Sequence, residues 1–175
     1  MKKAVPDVYK KDIFDIDYDS LKKKDIKCLA FDLDNTITDM DSNIPSDKTI
    51  KLIDKLKKDF IIYIISNNNN KTRLNEVSSY LKIDYISFAL KPTKIGFKKL
   101  MKKTNLKANE ICVIGDQIVT DVIGGNRVKC HTILVDPLSE KDLKITSFNR
   151  FVEKKIVNRL DKKDIFKKGR YYDGR

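Results

Sequence analysis

The sequence is poor in the residues that build disulfide frameworks, metal clusters and membrane spans. Its three cysteines, Cys28, Cys112 and Cys130, are an odd number with no close pair, so we expect reduced core residues. The single histidine, His131, has no second histidine with which to hold a metal ion, so a core or rim position is expected. The longest strongly apolar run, residues 60–65, is far too short to cross a bilayer. These absences predict a soluble, cytoplasmic protein that is at most peripheral to a membrane.

What the sequence has in excess is positive charge. The formal net charge of +12 attracts anions such as phosphoesters, nucleic acid or an acidic bilayer face. Half of it lies in residues 150–175, and a basic C-terminal helix or tail is predicted over residues 146–175. Two interpretations of this segment stay open, because its apolar stripe can pack on the domain or lie on an anionic membrane. The pair Tyr171-Tyr172 near its end is expected to be frayed.

The length of 175 residues suits a single domain with a sizeable core, which we place at residues 26–136 of 1–175. Short apolar runs alternate with amphipathic segments along this core, and that alternation is typical of βα units with a parallel sheet. The sequence therefore predicts an α/β fold with a mainly parallel sheet of five strands. The predicted strands cover residues 26–32, 60–66, 85–89, 110–116 and 131–136.

The segments between these strands carry helix signals. Ser46 can cap a helix that connects the first two strands. Pro92 suits the first turn of a later helix, because its missing N–H would lack a partner there in any case. A short helix over residues 118–123 is predicted to end at Gly124-Gly125, which can supply a left-handed cap.

Polar side chains that can handle a phosphoryl group end or follow four of the five predicted strands. Because the carboxyl ends of parallel strands meet at one edge of a sheet, we expect these side chains to lie close together. They are Asp32 and Asp34 after the first strand, Ser66 and Asn67 after the second, Lys91 after the third, and Asp116 with Asp121 after the fourth.

This set of side chains fits the chemistry of phosphoryl transfer. A carboxylate such as Asp32 can attack phosphorus directly if a cation offsets the repulsion between the two anions. Carboxylate oxygens from Asp32 and Asp116 suit Mg²⁺. Lys91 and Ser66 would supply a charge and a hydroxyl donor to the transferring group. Asp34 could protonate the leaving oxygen and later accept a proton from water.

Together these motifs resemble the haloacid dehalogenase (HAD) superfamily of Mg²⁺-dependent phosphatases, over most of the chain. The resemblance implies a three-layer Rossmann-like fold and an aspartyl-phosphate intermediate. It implies Asp32 as the nucleophile and Asp34 as the general acid and base, with the phosphate held by the strand-end residues Ser66 and Asn67 and by Lys91. It also implies a magnesium ion bound by Asp32, the backbone carbonyl of Asp34, and Asp116, with Asp121 as a supporting acid.

A narrower resemblance is to the YqeG family, in subfamily IIIA of that superfamily. It is carried by Phe31-Asp32-Leu33-Asp34-Asn35-Thr36, Ile65-Ser66-Asn67-Asn68, Lys91-Pro92, and Gly115-Asp116-Gln117 with Gly124-Gly125-Asn126-Arg127. This family is similar to phosphatidylglycerophosphate phosphatases. The spacing between motifs leaves no room for a large cap domain, so a large or membrane-presented substrate such as phosphatidylglycerophosphate is expected at an open site.

An alternative is a non-catalytic, basic module that binds RNA or a ribonucleoprotein on the same scaffold. The net charge permits it. Two features of the sequence oppose it, because acids at the site would repel a polyanion and the aromatic residues are not interleaved with the basic ones as stacking surfaces require. Nucleic acid is therefore the less favoured partner.

Overall fold

The computed structural model describes residues 2–139 and 147–174. Its centre is a parallel sheet of six strands in the order β1-β6-β5-β2-β3-β4, which confirms the α/β class. The strand missed from the sequence is β1, which is only three residues long and pairs with β6 at one side of the sheet. The strands are β1 Val8–Lys10, β2 Cys28–Phe31, β3 Ile61–Ile65, β4 Asp84–Ile86, β5 Ile111–Gly115 and β6 His131–Val135.

Helices cover both faces of the sheet, and alternate residues of each central strand face opposite sides. On β2, Leu29 and Phe31 join the core beneath α1, α2 and α3, whereas Cys28 and Ala30 join the core beneath α4. The three layers agree with the predicted fold, and all three cysteines are buried and free. The helices are α1 Tyr18–Lys23, α2 Asp47–Leu56, α3 Lys71–Leu81, α4 Ile95–Thr104, α5 Ile123–Val128 and α6 Ser147–Asp161, with a π-helical turn at Ile118–Val122 before α5.

Of the three helix signals read from the sequence, the structure agrees with Ser46 and contradicts those for Pro92 and for the pair Gly124-Gly125. Ser46 caps α2 as predicted, and its side chain accepts a hydrogen bond from Thr49 N. The prediction for Pro92 is wrong, since α4 begins only at Ile95. Pro92 instead lies in the preceding turn, which Thr93 N closes by donating to Leu90 O at 2.8 Å.

The glycine pair Gly124-Gly125 does not end its helix, which continues to Val128 and is capped by Lys129 at φ 69°. The reason is packing. A Cβ on Gly124 would lie 2.7 Å from the Phe97 ring, and one on Gly125 would lie 2.7 Å from Thr132 Cγ2. The glycines therefore let α5 approach its neighbours, and the left-handed residue comes four positions later.

The C-terminal segment packs on the domain, which is the first of the two interpretations given for its apolar stripe. Leu160 is buried, and Ile156 and Val157 are half-buried against the turn before α5 and the N-terminal residues. The prediction of a frayed end is wrong, because Tyr172 and Tyr9 exchange two backbone hydrogen bonds of 2.9 and 3.0 Å. Within residues 2–139 and 147–174, every helix is too short or too polar to span a bilayer.

Candidate active site

The parallel sheet brings the motif residues to its carboxyl edge. Asp32 directly follows β2, Ser66 follows β3 and Asp116 follows β5, and these three strands are neighbours in the sheet. Lys91 follows the short strand β4 by five residues and reaches back to the same place. Edge topology thus assembles residues that lie up to 84 positions apart in the sequence.

Lys91 connects two acids at the centre of this edge. Its Nζ donates to Asp32 Oδ1 at 2.7 Å and to Asp121 Oδ1 at 2.6 Å, and all three side chains are buried. Burial by itself lowers the pKa of Lys91, but the charges of Asp121 and Asp32 outweigh it and raise that pKa. Lys91 is therefore held as a cation beside the predicted nucleophile.

The acids outnumber the cation, and their pKa values reflect this. Burial raises the pKa of Asp32 to about 7, with Asp121 adding to the rise and Lys91 opposing it. Burial, together with the charges of Asp32 and Asp121, raises the pKa of Asp116 well above its ordinary value. Such a cluster of buried carboxylates needs additional positive charge to be fully ionised.

The same acids fit a divalent cation. Asp32, Asp116 and Asp121 each offer a carboxylate oxygen, and these atoms lie within 4.8 Å of one another. Asp116 Oδ1 is buried and has no hydrogen-bond partner among the described residues. This is expected of an oxygen atom that binds a metal ion. Hard oxygen donors of this kind suit Mg²⁺. The side chain of Asp34, whose predicted metal contact is through its backbone carbonyl, is not in this group.

Asp121 is fixed more firmly than its supporting role in the sequence suggests. Besides Lys91, its carboxylate accepts from Gln117 N and from Thr120 Oγ1, both at 3.2 Å. It lies so close to the end of β5 that a Cβ on Gly115 would be 2.3 Å from Asp121 Cγ. Gly115 is required here because a larger residue would not let Asp121 approach the end of β5 so closely. The end of β5 and the π-helical turn therefore both fix the position of Asp121.

Asp34 points to a different partner. Arg73, in the first turn of α3, donates through Nη1 to Asp34 Oδ1, while its Nη2 donates to Asp39 O at 2.8 Å and Ser42 O at 3.2 Å. The Arg73 side chain is 7% exposed and that of Asp34 is 19% exposed. The Asp34 carboxylate is therefore more open to solvent than its arginine partner.

The loop after β3 serves the site in two ways. Ser66 is buried, and its Oγ accepts from Asn68 N at 3.0 Å, which leaves its hydroxyl proton to be donated. Asn67 contacts the backbone of Lys91 with both ends of its amide: Nδ2 donates to Lys91 O at 2.8 Å, and Lys91 N donates to Oδ1 at 2.7 Å. The phosphate contact predicted for Asn67 stays a prediction, and the observed contact is with the segment that carries Lys91.

A cavity of about 290 Å³ opens beside Asp116, between the carboxyl edge and α6. Glu153 of α6 accepts from Ile118 N at 3.0 Å and so connects this helix to the turn after Asp116. Lys154 and Lys168 also line the cavity, and Val157 and Pro137 give it an apolar wall. The cavity thus adjoins Asp116, which has a carboxylate oxygen within 4.8 Å of one of Asp32.

Two of these residues were missed in the sequence. Arg73 lies four positions before Val77, on the buried stripe of α3, and a charge in a buried stripe is a signal that could have marked it. Glu153 is one acid in a basic segment, and no sequence pattern relates it to residue 118.

Comparison with known proteins agrees with this geometry. The HAD-hydrolase-like family model matches residues 89–146. The chain is 39% identical over 159 residues to "Probable phosphatase YqeG" of Bacillus subtilis, covering 91% of this chain and 92% of that protein. It is 29% identical over 148 residues to phosphatidylglycerophosphate phosphatase 1 of Arabidopsis thaliana, covering 79% of this chain and 42% of that protein.

The fold is similar to that of a p-nitrophenyl phosphatase from Archaeoglobus fulgidus, with a TM-score of 0.53 and 15% identity over 67% of this chain and 90% of that chain. The relationship to phosphatases along almost the whole length favours the enzyme over the RNA-binding alternative. This chain therefore belongs to the YqeG family of HAD-type phosphatases.

Proposed function

We propose that the chain hydrolyses phosphomonoesters with Mg²⁺, through an aspartyl-phosphate formed on Asp32. The observation that carries this proposal is the contact of Lys91 with both Asp32 and Asp121, beside an oxygen of Asp116 that has no hydrogen-bond partner in the described part of the chain. This contact supports the proposal, because the proposed nucleophile, a fixed cation and the candidate metal ligands then share a single buried cluster. Phosphoryl transfer needs these three components.

In the first step an oxygen of Asp32 attacks phosphorus, and the bond from phosphorus to the leaving oxygen breaks. Lys91 and the Ser66 hydroxyl hold the phosphoryl oxygens, while Asp34 gives a proton to the departing alkoxide. In the second step Asp34 takes a proton from water, which attacks phosphorus and frees Asp32. Asp32, Asp116 and Asp121 would hold a divalent cation, which would supply the positive charge that offsets repulsion between the carboxylates and the phosphate.

The decisive test is turnover of p-nitrophenyl phosphate with Mg²⁺ and with a chelator. We expect Asp32→Asn to abolish turnover while the variant stays folded, because an amide cannot form the acyl phosphate. Asp41→Asn, in an exposed loop, is the matched control and should keep full activity. Turnover by Asp32→Asn at the wild-type rate, or full activity in the chelator, would refute the mechanism.

We further propose phosphatidylglycerophosphate, or a phosphomonoester of similar chemistry, as the substrate. The connections after β2 and β3 span only residues 32–46 and 66–70, so no cap domain closes over the site. A substrate presented by a large body fits such an opening. This substrate carries a phosphodiester besides the phosphomonoester, and Lys154 and Lys168 line the cavity where that second anion would lie. The related plant enzyme is named for the same lipid.

The substrate is tested with a short-chain, water-soluble phosphatidylglycerophosphate compared with p-nitrophenyl phosphate and glycerol phosphate. We expect kcat/KM for the lipid to exceed the other values by about 100-fold, since contacts to the second anion and the glycerol are realised only there. Equal values on the three substrates would remove the lipid assignment and leave the phosphatase assignment intact.

A further inference from the structure

Many of the large apolar side chains that the described chain exposes lie at the catalytic edge of the sheet. They occupy the segments that follow β2, β4 and β6 and the starts of α4 and α6, which a parallel sheet places at its carboxyl edge. We call this set the apolar rim. Its members are Ile44 (59% exposed), Phe88 (58%), Leu90 (37%), Ile95 (58%), Leu138 (45%) and Phe151 (57%).

The apolar rim is attached directly to the loops of the active site. Phe88 N donates to Asn68 O at 3.2 Å, which joins the rim to the loop after β3. Leu138 N donates to Asn35 O at 3.0 Å, within the motif that contains Asp32 and Asp34. The rim therefore reaches the site from both sides and is held in place by backbone hydrogen bonds.

Two residues of the rim have a backbone that does not favour their side chains. Phe88 has φ of 48° and Leu90 has φ of 54°, in the left-handed region where glycine or asparagine is preferred. Both side chains are exposed, so burial in the core does not explain them. An apolar residue kept in a strained and exposed position points to a function at the surface.

Exposed lysines lie at the same edge, around the acids of the site. The helices α3 and α4 begin at Lys71 and directly after Lys94, with no acid in either first turn, although a cation at a helix N-terminus opposes the helix dipole. On α6, Lys155 lies over the ring of exposed Phe151, with Nζ 4.3 Å from its centroid. The edge thus combines apolar side chains with exposed lysines, in a protein of net charge +12.

From residue 151 onward, where its side chains are described, the C-terminal helix offers little apolar surface of its own. Leu160 is buried and Ile156 and Val157 are half-buried in the packing of α6 on the domain. Among the apolar residues of α6 whose side chains the structure describes, Phe151 is the one left largely exposed, and it belongs to the rim. A surface that contacts a large partner must therefore be sought around the site rather than along this helix.

We infer that the apolar rim docks on an anionic lipid bilayer, with Phe88 and Leu90 entering the interface and the lysines facing the headgroups. Basic and apolar groups on one face match such a surface in charge and in polarity. The inference deepens the proposed function, on which it rests, because docking by this edge presents the open site to a phosphate at the bilayer surface.

The test is cosedimentation of the full chain with vesicles of phosphatidylcholine, with and without phosphatidylglycerol. We expect the wild-type chain to bind only the anionic vesicles and to be released by salt. The double variant Phe88→Asn and Leu90→Asn should lower the vesicle partition coefficient by about tenfold or more. Asparagine tolerates the left-handed backbone, so these substitutions keep the loop conformation.

The matched control is Tyr80→Asn, which removes an exposed aromatic ring (48%) from the last turn of α3, at the opposite edge. It should bind vesicles like the wild-type chain. Turnover of p-nitrophenyl phosphate should be equal in all three proteins, which separates failure of docking from failure of the phosphatase assignment. Wild-type protein that stays in solution with anionic vesicles would overturn the inference and assign the rim to a protein partner. Equal losses in the rim variant and the control would also overturn it.

Discussion

Arg73 forms an ion pair with Asp34, the residue proposed to move the proton, and both side chains are largely shielded from solvent. The same guanidinium holds the carbonyls of Asp39 and Ser42, so the position of the Asp34 carboxylate is tied to the loop that follows it. Arg73 thus acts on the proposed reaction through Asp34 and is a positioning residue.

If Arg73 positions Asp34, its loss should affect poor leaving groups most. We expect Arg73→Gln to lower kcat for alkyl phosphates by about 100-fold, because their leaving oxygen needs a proton. The loss for p-nitrophenyl phosphate should be small, since that leaving group departs as an anion. Steady-state kinetics on both substrates give the comparison. Arg73→Lys controls for loss of a buried charge, and equal losses on both substrates would indicate a purely structural role.

Asn67 should control where Lys91 lies. Removing its amide in Asn67→Ala frees the backbone of Lys91 at both hydrogen bonds. We expect kcat to fall by about tenfold with little change in thermal stability, because a small displacement of a fixed charge weakens its contact with the phosphoryl group. Asn69→Ala, in the same exposed loop, should leave kcat unchanged. A fall in both variants would indicate that the whole loop is sensitive.

The cavity beside Asp116 predicts a selective effect on KM. Lys154→Gln and Lys168→Gln should each raise KM roughly tenfold for short-chain phosphatidylglycerophosphate, through loss of a charged contact to its second anion. KM for p-nitrophenyl phosphate should stay the same. The exposed residues Lys162 and Lys163 lie outside this cavity, so their glutamine variants measure the effect of net charge alone.

Gly115 should be required for tight binding of Mg²⁺. A Cβ in Gly115→Ala would lie 2.3 Å from Asp121 Cγ and would push that carboxylate away from Asp32 and Asp116. We expect the Mg²⁺ affinity, measured by calorimetry on the full chain, to fall by about 10-fold or more. Gly169→Ala is a control for glycine substitution in open space, although its φ of 83° makes some loss of stability expected. An unchanged Mg²⁺ affinity would exclude Asp121 from the metal site.

Stability should depend on pH in the absence of metal. The pKa of Asp32 rises from 3.8 to about 7 on folding, so the folded chain holds this proton more tightly than the unfolded chain. Asp32 should therefore lower the free energy of unfolding as pH rises from 3.8 to about 7, and Asp116, whose pKa is also raised, should add to the decrease. Thermal unfolding in chelator measures it. Asp32→Asn should flatten the decrease, and Mg²⁺ should stabilise the protein most at the upper end.

The sequence predicted the parallel sheet and the convergence of Asp32, Lys91 and Asp116. Apolar runs and the acids that follow them are local signals, and a parallel sheet brings the carboxyl ends of its strands to one edge. The sequence did not predict the partner of each side chain. The pairing of Asp34 with Arg73 depends on where a loop and a helix meet, across 39 positions. The packing of Gly124 against Phe97 likewise depends on a close approach that no local pattern encodes.

The strand β1 and the ordered C-terminus were missed for a related reason. Val8–Lys10 is too short to show a period, and its stability comes from β6 on one side and Tyr172 on the other. A tyrosine pair near a chain end has no local signal for order. Such contacts are decided by tertiary packing, which a single sequence does not display.

The bridge between Tyr9 and Tyr172 also covers part of the outer edge of the sheet. An unpaired outer strand is a template for association with a second sheet, and natural proteins protect it. Here the C-terminal segment occupies the hydrogen-bonding groups of Tyr9, while the opposite outer strand β4 has only three residues. Truncating the chain before Tyr172 would expose the unpaired backbone of β1. We expect such a truncated protein to aggregate before it loses catalytic activity.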